Sequence, residues 1–207
     1  MARPGRGWRL GGSAFAVLVL VWSGWEAVDQ LTSRDESQTD RFASSDVDAI
    51  VVQVDNGDVF VSGRAGTSEV VVRASLRVGI ADPTYTLDVR RRTLHISATC
   101  GEVSDNCLRS LRLSVPRGVD LTLRSDNGDI VTEALVSSTV DATSDNGDVG
   151  LEFSEAPDEV VARSDNGDVS VMLSRATDVN GIDFALTASS ENGDVTIPIR
   201  TNPSSAR

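Results

Sequence analysis

The chain has 207 residues, a formal net charge of −12, 40% hydrophobic residues and only 4% aromatic residues. This length allows one folded domain with accessory segments, and the scarcity of aromatic residues favours many short strands over a core of a few bulky side chains. A nucleic-acid-binding surface requires net positive charge, so the acidic balance excludes nucleic acid as a partner.

Residues 1–25 predict a short cytoplasmic tip followed by one membrane-spanning helix. Three arginines precede residue 10, and residues 10–25 are uncharged and mostly apolar. The chain's three tryptophans bracket this run in the way that interfacial residues bracket a span: Trp8, Trp22 and Trp25. We therefore expect residues 8–28 to contact the cytoplasmic membrane. The rest of the chain should lie outside the cytoplasm, because arginines stay on the cytoplasmic side.

A cleaved signal peptide is the alternative interpretation of the same segment. It would have the same basic start and apolar centre, and its removal would yield a secreted protein. The only tolerable cleavage point follows Ser23, where the bulky Trp22 stands just before the site. The uncleaved anchor is therefore favoured, and the secreted alternative stays open.

Composition sets the predicted limits of the folded domain. Residues 26–45 are rich in Asp, Ser and Thr and predict an exposed stalk, and residues 201–207 predict a disordered tail. The segment between them, 46–200, contains alternating apolar patterns and is the predicted β-repeat domain. Its less periodic first part, 46–118, is expected to form a broader end or cap of the same domain.

Cys100 and Cys107 are the only two cysteines. An even pair in an exported chain predicts a disulfide between them. Apolar residues alternate before Cys100 and after Cys107, which predicts a hairpin whose loop the disulfide would close. A metal site is the alternative, but one cysteine pair supplies too few ligands.

A repeated Asn-Gly-Asp motif is the strongest pattern in the chain. Five copies occur, at residues 54–59, 125–130, 144–149, 164–169 and 190–195. Their predicted turns are Asn56–Gly57, Asn127–Gly128, Asn146–Gly147, Asn166–Gly167 and Asn192–Gly193. Successive glycines at 128, 147, 167 and 193 are separated by 19, 20 and 26 residues. Glycine supplies the positive φ that a tight reversal of the chain needs.

Apolar residues alternate with polar ones on both sides of each Asn-Gly pair. Val140 and Ala142 precede Gly147, for example, and Val149 and Leu151 follow it. Period two on both sides predicts one strand entering the turn and one strand leaving it. Near-constant spacing favours an all-β solenoid of about 20-residue coils, because stacked coils reward equal length. The alternative is a β-meander or sandwich in which each Asn-Gly pair forms a hairpin.

These features together resemble the bacterial "putative adhesin" domain family. The residues that carry the resemblance are the Asp-Asn-Gly-Asp-Val corner at 55–59, the segment Leu-Ser-Val-Pro-Arg-Gly-Val-Asp-Leu at 113–121, and the serial corners after it. The resemblance covers residues 46–199. It implies stacked β-coils at the cell surface or envelope, in a family of unknown function that brings no catalytic residues.

Stacked corners predict two columns of carboxylates, one of Asp126, Asp145, Asp165 and Glu191 and the other of Asp129, Asp148, Asp168 and Asp194. Like charges at the ~4.8 Å spacing of strands repel by roughly 1 kcal/mol per pair even in water. Hydrogen bonds from corner amides, a ladder of asparagines, and Arg124 and Arg163 are the favoured compensation. Calcium bound along the column of Asp129, Asp148, Asp168 and Asp194 is the alternative, and no other cofactor is expected.

Catalytic signatures are missing from the sequence. The lone His95 lies between Leu94 and Ile96, so a strand would place it on the surface, and no nucleophile motif accompanies it. A polysaccharide-cleaving enzyme with paired carboxylates is the remaining catalytic alternative. It would need an aromatic groove, and Tyr85 is the only tyrosine.

The predicted function is a non-catalytic interaction or structural module of the bacterial cell envelope. A single membrane span would hold it, with the C-terminal domain outside the cytoplasm and an unidentified envelope or surface ligand as its partner. A calcium-dependent binding module is the alternative, and a polysaccharide-active enzyme is the least favoured.

Overall fold

The computed structural model describes residues 34–78, 84–100, 108–174 and 185–200. These residues form two β-sheets and a 3-10 turn, Ser44–Asp46. The nine-stranded sheet contains, in spatial order, β1 (Arg34–Ala43), β4 (Glu69–Val78), β7 (Leu108–Val115), β3 (Asp58–Gly63), β9 (Ile130–Glu133), β11 (Val149–Phe153), β13 (Val169–Ser174) and β15 (Val195–Thr196), with β16 (Ile199–Arg200) also paired to β13. The seven-stranded sheet contains β14 (Ala185–Ser190), β12 (Glu159–Asn166), β10 (Thr139–Asn146), β8 (Asp120–Asn127), β2 (Ala49–Asn56), β6 (Thr93–Thr99) and β5 (Thr84–Arg90).

The two strands that flank an Asn-Gly pair lie in opposite sheets. β8 and β9 flank Gly128, for example, and each pairs in parallel with the equivalent strand of the next repeat, β10 or β11. Each repeat is therefore one coil of a β-solenoid-like fold, as predicted. The hairpin alternative is wrong, because a hairpin would pair the two flanking strands antiparallel in one sheet.

The register of the coils follows the alternating pattern of the sequence. Leu121, Val140, Val160 and Leu186 are aligned across one sheet, and Ile130, Val149, Val169 and Val195 across the other. Val140, Val149, Val160 and Val169 are fully buried. Both sheets thus turn one apolar face inward, and the coils stack around one continuous core. Burial falls at the last coil, where Val195 is 44% exposed.

The coil formed by β2 and β3 is out of chain order. It lies between the β6–β7 coil and the β8–β9 coil, and it pairs in parallel with both. Asn56 is aligned with Asn127, although 71 residues separate them. The outlying first copy of the motif is therefore a full member of the stack.

Antiparallel strands form the first end of the solenoid, while β2 and β3, which also belong to the segment 46–118, lie within the stack. β4 pairs with β7, and β5 pairs with β6. The predicted stalk is wrong for residues 34–43, because they form β1, which pairs antiparallel with β4 over its whole length. An edge strand needs few apolar residues, and Phe42 alone packs this strand against the core.

The cysteines do not flank a hairpin. β6 and β7 lie in opposite sheets, so the predicted hairpin between them is wrong. Cys100 is not a free thiol, and the described part of the chain contains no free cysteine. Cys107 lies outside the described residues, and its pairing with Cys100 stays a prediction.

The predicted anchor, residues 1–25, and the predicted tail, residues 201–207, also lie outside the described residues. Within the described ranges, no helix is long and apolar enough to cross a membrane.

Candidate functional site

The five Asn-Gly-Asp corners form one column along the edge where the chain passes between the two sheets. Its asparagines are linked by side-chain hydrogen bonds. Asn146 Nδ2 donates to Asn127 Oδ1 at 3.1 Å and to the backbone carbonyl of Asp126 at 3.2 Å. Asn166 and Asn192 repeat both bonds with the preceding coil. The predicted asparagine ladder is present.

The aspartates that follow the glycines form a second ladder. Asp129 Oδ1 accepts a hydrogen bond from the backbone N–H of Asp148 at 2.9 Å, and Asp148 Oδ1 accepts one from Asp168 at 2.8 Å. Asp168 Oδ1 accepts the next from Asp194 at 2.9 Å. Each carboxylate thus accepts a charge-assisted bond from the coil stacked on it. These bonds are the compensation from corner amides that the sequence analysis favoured.

The serine that begins the motif forms a third ladder, which the sequence analysis did not assign. Ser144 Oγ donates to the carbonyl oxygen of Gly128 at 2.9 Å, and Ser164 Oγ donates to that of Gly147 at 2.8 Å. Both serines are buried. Their recurrence at the first position of the motif, two residues after a buried apolar position, was the available signal. Each bond satisfies a buried hydroxyl and links two coils.

The corner glycines allow the backbones of successive coils to approach closely. A Cβ on Gly147 would lie 2.3 Å from the carbonyl oxygen of Gly128, and a Cβ on Gly167 would lie 2.3 Å from that of Gly147. The predicted positive φ is found at Gly57 (116°), Gly128 (151°) and Gly147 (156°). Close contact is therefore the constraint that the glycines share, and backbone conformation adds to it at three of them.

In the column of Asp126, Asp145, Asp165 and Glu191, repulsion between carboxylates acts on Asp126. Burial, together with the negative charges of Asp145 and Asp55, raises the pKa of Asp126 above its ordinary value. Within the described part of the chain, no arginine forms an ion pair with this column. Arg124 lies 3.6 Å from Asp141, and Arg163 forms no ion pair with any described residue. Within the described residues neither arginine forms an ion pair with a corner carboxylate, so the predicted contribution of these two arginines at the corners is wrong.

The remaining candidates from the sequence are His95 and a metal site. His95 is exposed on β6, as predicted, and within the described residues its side chain forms no hydrogen bond. In the described part of the chain, no group of three or more His, Cys, Asp or Glu side chains is placed to hold a metal ion. At Asp129, Asp148 and Asp168, one carboxylate oxygen is already bonded to the next corner.

The fold and the corner column define the class of protein: an all-β, solenoid-like domain stabilised by stacked Asn-Gly-Asp corners. The family model described as Toastrack DUF4097 matches residues 41–206, and the chain belongs to that family. The match confirms the resemblance seen in the sequence. No curated protein matches the chain.

A solved structure shares the fold. A structure described as a "putative cell adhesion protein" from Clostridium sporogenes matches 81% of this chain and 100% of its own, with a TM-score of 0.57 and 11% identity. A "putative adhesin" from Parabacteroides distasonis matches 78% of this chain and 70% of its own, with a TM-score of 0.35 and 12% identity. At these identities the likeness concerns the fold alone, and it rests on the first of the two structures.

Replacing Gly147 by valine should destabilise the domain by roughly 2–6 kcal/mol, since it adds backbone strain to a clash with Gly128. Equilibrium denaturation measures the free energy of unfolding. Gly150→Val is the matched control, because a Cβ at Gly150 meets no atom within 4 Å. Equal losses at the two positions would contradict the close-contact explanation.

Asp126→Asn should stabilise the domain at neutral pH, because it removes an ionised group whose pKa is raised in the folded state. The native aspartate favours folding only when protonated, so its contribution is lost as pH rises through the raised pKa. The advantage of the variant should therefore shrink as pH falls below the ordinary Asp pKa of 3.8. Denaturation midpoints across this pH range, with Glu159→Gln as control, measure the effect. An advantage independent of pH would contradict it.

Millimolar calcium should shift the melting temperature no more than magnesium does, because Asp148 and Asp168 each use a carboxylate oxygen to accept a hydrogen bond from the next coil. Calcium-specific binding would instead stabilise by about 2.7 kcal/mol at a hundredfold excess over the dissociation constant. The double change Asp148→Asn and Asp168→Asn keeps an acceptor oxygen and removes two like charges. It should leave the melting temperature without calcium little changed, because the repulsion that it removes offsets the charge-assisted bonds that it weakens. A calcium-specific rise that this variant abolishes would establish the calcium-binding alternative.

Proposed function

We propose that the chain is a non-catalytic interaction module of the bacterial cell envelope. Its N-terminal span holds it in the cytoplasmic membrane, and its β-solenoid projects outside the cytoplasm. The observation that carries the proposal is the direction of the corner hydrogen bonds. The Asn, Asp and Ser groups of the repeat bond to the neighbouring coil.

Such a motif builds a stiff scaffold, since three ladders and a continuous core link each coil to the next. The side chains that remain available to a partner are those on the outward faces of the two sheets. Broad, rigid strand faces suit recognition of another surface or polymer better than they suit catalysis, which needs convergent groups in a closed site. The structure from Clostridium sporogenes, described as a "putative cell adhesion protein", supports the same reading.

The described residues do not contain the groups that the catalytic alternative requires. A Ser-His-Asp arrangement requires hydrogen bonds between base and nucleophile, and His95 forms none there. A glycan-cleaving site requires a carboxylic acid beside a second carboxylate in a groove. The one carboxyl pKa raised within the described part belongs to Asp126, on an exposed edge beside other acids. We therefore propose an adhesin-like binding role.

The membrane location rests on the arginines, the apolar run and the bracketing tryptophans of residues 1–25. Expressed in bacteria, the full chain should remain in the membrane fraction, and protease added to spheroplasts should digest the domain. Mass spectrometry should recover peptides that join Trp25 to upstream residues. Leu18→Arg with Leu20→Arg should release the chain from the membrane or block its insertion, because each charge at the centre of a span costs about 2.5–3.5 kcal/mol.

Leu18→Ala with Leu20→Ala is the matched control, and it should stay in the membrane. A soluble product that begins near Gly24 would establish the secreted alternative instead. A domain that is protected in spheroplasts and digested only after lysis would contradict the extracytoplasmic location.

A further inference from the structure

Three arginines line a cavity on the outer face of the nine-stranded sheet. The cavity has a volume of about 270 Å³, and its lining includes Phe60, Arg64, Arg73, Arg112 and Glu133. We call Arg64, Arg73 and Arg112 the arginine cluster. Glu133 is the only acidic residue among those that line the cavity. The cavity is therefore a local positive site on a chain whose net charge is −12.

The arginine cluster is not explained by folding. Arg73 and Arg112 stand directly opposite each other on the antiparallel strands β4 and β7. Like charges in this position destabilise a sheet. Within the described residues, none of the three arginines forms an ion pair, whereas Arg92, Arg109 and Arg117 elsewhere on the surface do. The guanidinium groups are thus gathered without carboxylate partners.

Phe60 holds one of these groups in place. The Arg112 guanidinium lies 4.2 Å from the centre of the Phe60 ring. A cation–π contact of this kind fixes the guanidinium without using its N–H donors. Within the described residues these donors form no hydrogen bond or ion pair, so they are free to bind an acceptor from outside the protein. Oxyanions such as carboxylate, sulfate and phosphate are the acceptors that arginine matches best.

A row of outward-facing strand residues lies beside the arginine cluster. Phe60 is aligned with Val131, Val131 with Gly150, and Gly150 with Ser170, so one row of residues crosses four neighbouring strands. Three strand spacings make this row roughly 15 Å long. A Cβ on Gly150 would meet nothing within 4 Å, so packing does not require a glycine there. Its presence leaves the row without a side chain at that position.

We propose that the arginine cluster binds an oxyanion group of an acidic polysaccharide, whose neighbouring sugars lie along the row from Phe60 to Ser170. This inference rests on the proposed envelope location and names the ligand class of the interaction module. A polymer fits the combination of one charged cavity and an extended row of strand residues. An anionic lipid surface fits less well, since it would face the acidic domain as a whole, whereas a polymer chain contacts only the cavity and the row. A peptide would pair with a sheet edge rather than a sheet face.

The test uses the full chain in nanodiscs of a neutral lipid. Binding to immobilised dextran sulfate and polygalacturonate is measured beside uncharged dextran. Arg73→Gln with Arg112→Gln should weaken binding of an acidic polymer about tenfold or more, because two charged contacts are lost. Arg124→Gln with Arg163→Gln is the matched control: it changes net charge equally, but on the opposite sheet. It should change affinity less than about twofold.

Gly150→Gln separates recognition of the polymer from attraction to charge. It should weaken dextran sulfate binding while leaving the melting temperature unchanged, since the added side chain projects into open space. The double Arg73 and Arg112 variant should melt at the same temperature as the native chain or higher, because it removes a like-charge pair. If that variant both melts at a lower temperature and loses binding, the two arginines stabilise the fold and the loss of binding is not evidence for a binding site.

Four other results would overturn the inference: failure to bind either acidic polymer, equal binding to uncharged dextran, equal loss in the Arg124 and Arg163 control, or arginine-dependent binding of phosphatidylglycerol vesicles alone. Each leaves the envelope proposal standing if the spheroplast experiment places the domain outside the cytoplasm. If the spheroplast experiment fails but arginine-dependent binding of the polymer is observed, the proposed location is wrong and the proposed binding site stands.

Discussion

The distance between successive corner backbones is the constraint on which the rest of the structure depends. At Gly128, Gly147, Gly167 and Gly193, a Cβ would lie between 2.2 and 2.4 Å from the preceding glycine's carbonyl oxygen. Only glycine permits this approach. Because the coils come so close, the short side chains of Asn, Asp and Ser reach the neighbouring coil. A wider corner would leave those groups without partners, and the ladders would be lost together.

The same closeness explains how the chain tolerates stacked acids. Identical coils place identical charges one above another, which is unfavourable for an aspartate column. Here the oxygen of one carboxylate faces the amide of the next coil, so each repeat supplies both the charge and the donor that stabilises its neighbour. Asp126 shows the contrasting case, because partial burial, and after it the neighbouring acids, raise its pKa.

The periodic part of the fold could be predicted from the sequence, since each coil repeats the same local pattern. Alternation around Gly147 and Gly167 indicated both the buried residues and their alignment. β1 was missed because an edge strand needs little apolar surface and reads as a polar stalk. The arginine cluster was missed for another reason. Residues 64, 73 and 112 are distant in sequence, and only the order of strands β3, β4 and β7 brings them together.

The insertion of the β2–β3 coil between two later coils bears on how the chain folds during synthesis. When residues 49–63 leave the ribosome, both of their parallel neighbours are still unmade. The β6–β7 and β8–β9 coils end only at Val115 and Glu133. Formation of the stack must therefore wait for contacts between distant segments, which slows the first step of folding. Once that nucleus exists, each later repeat has a finished template and can add in turn.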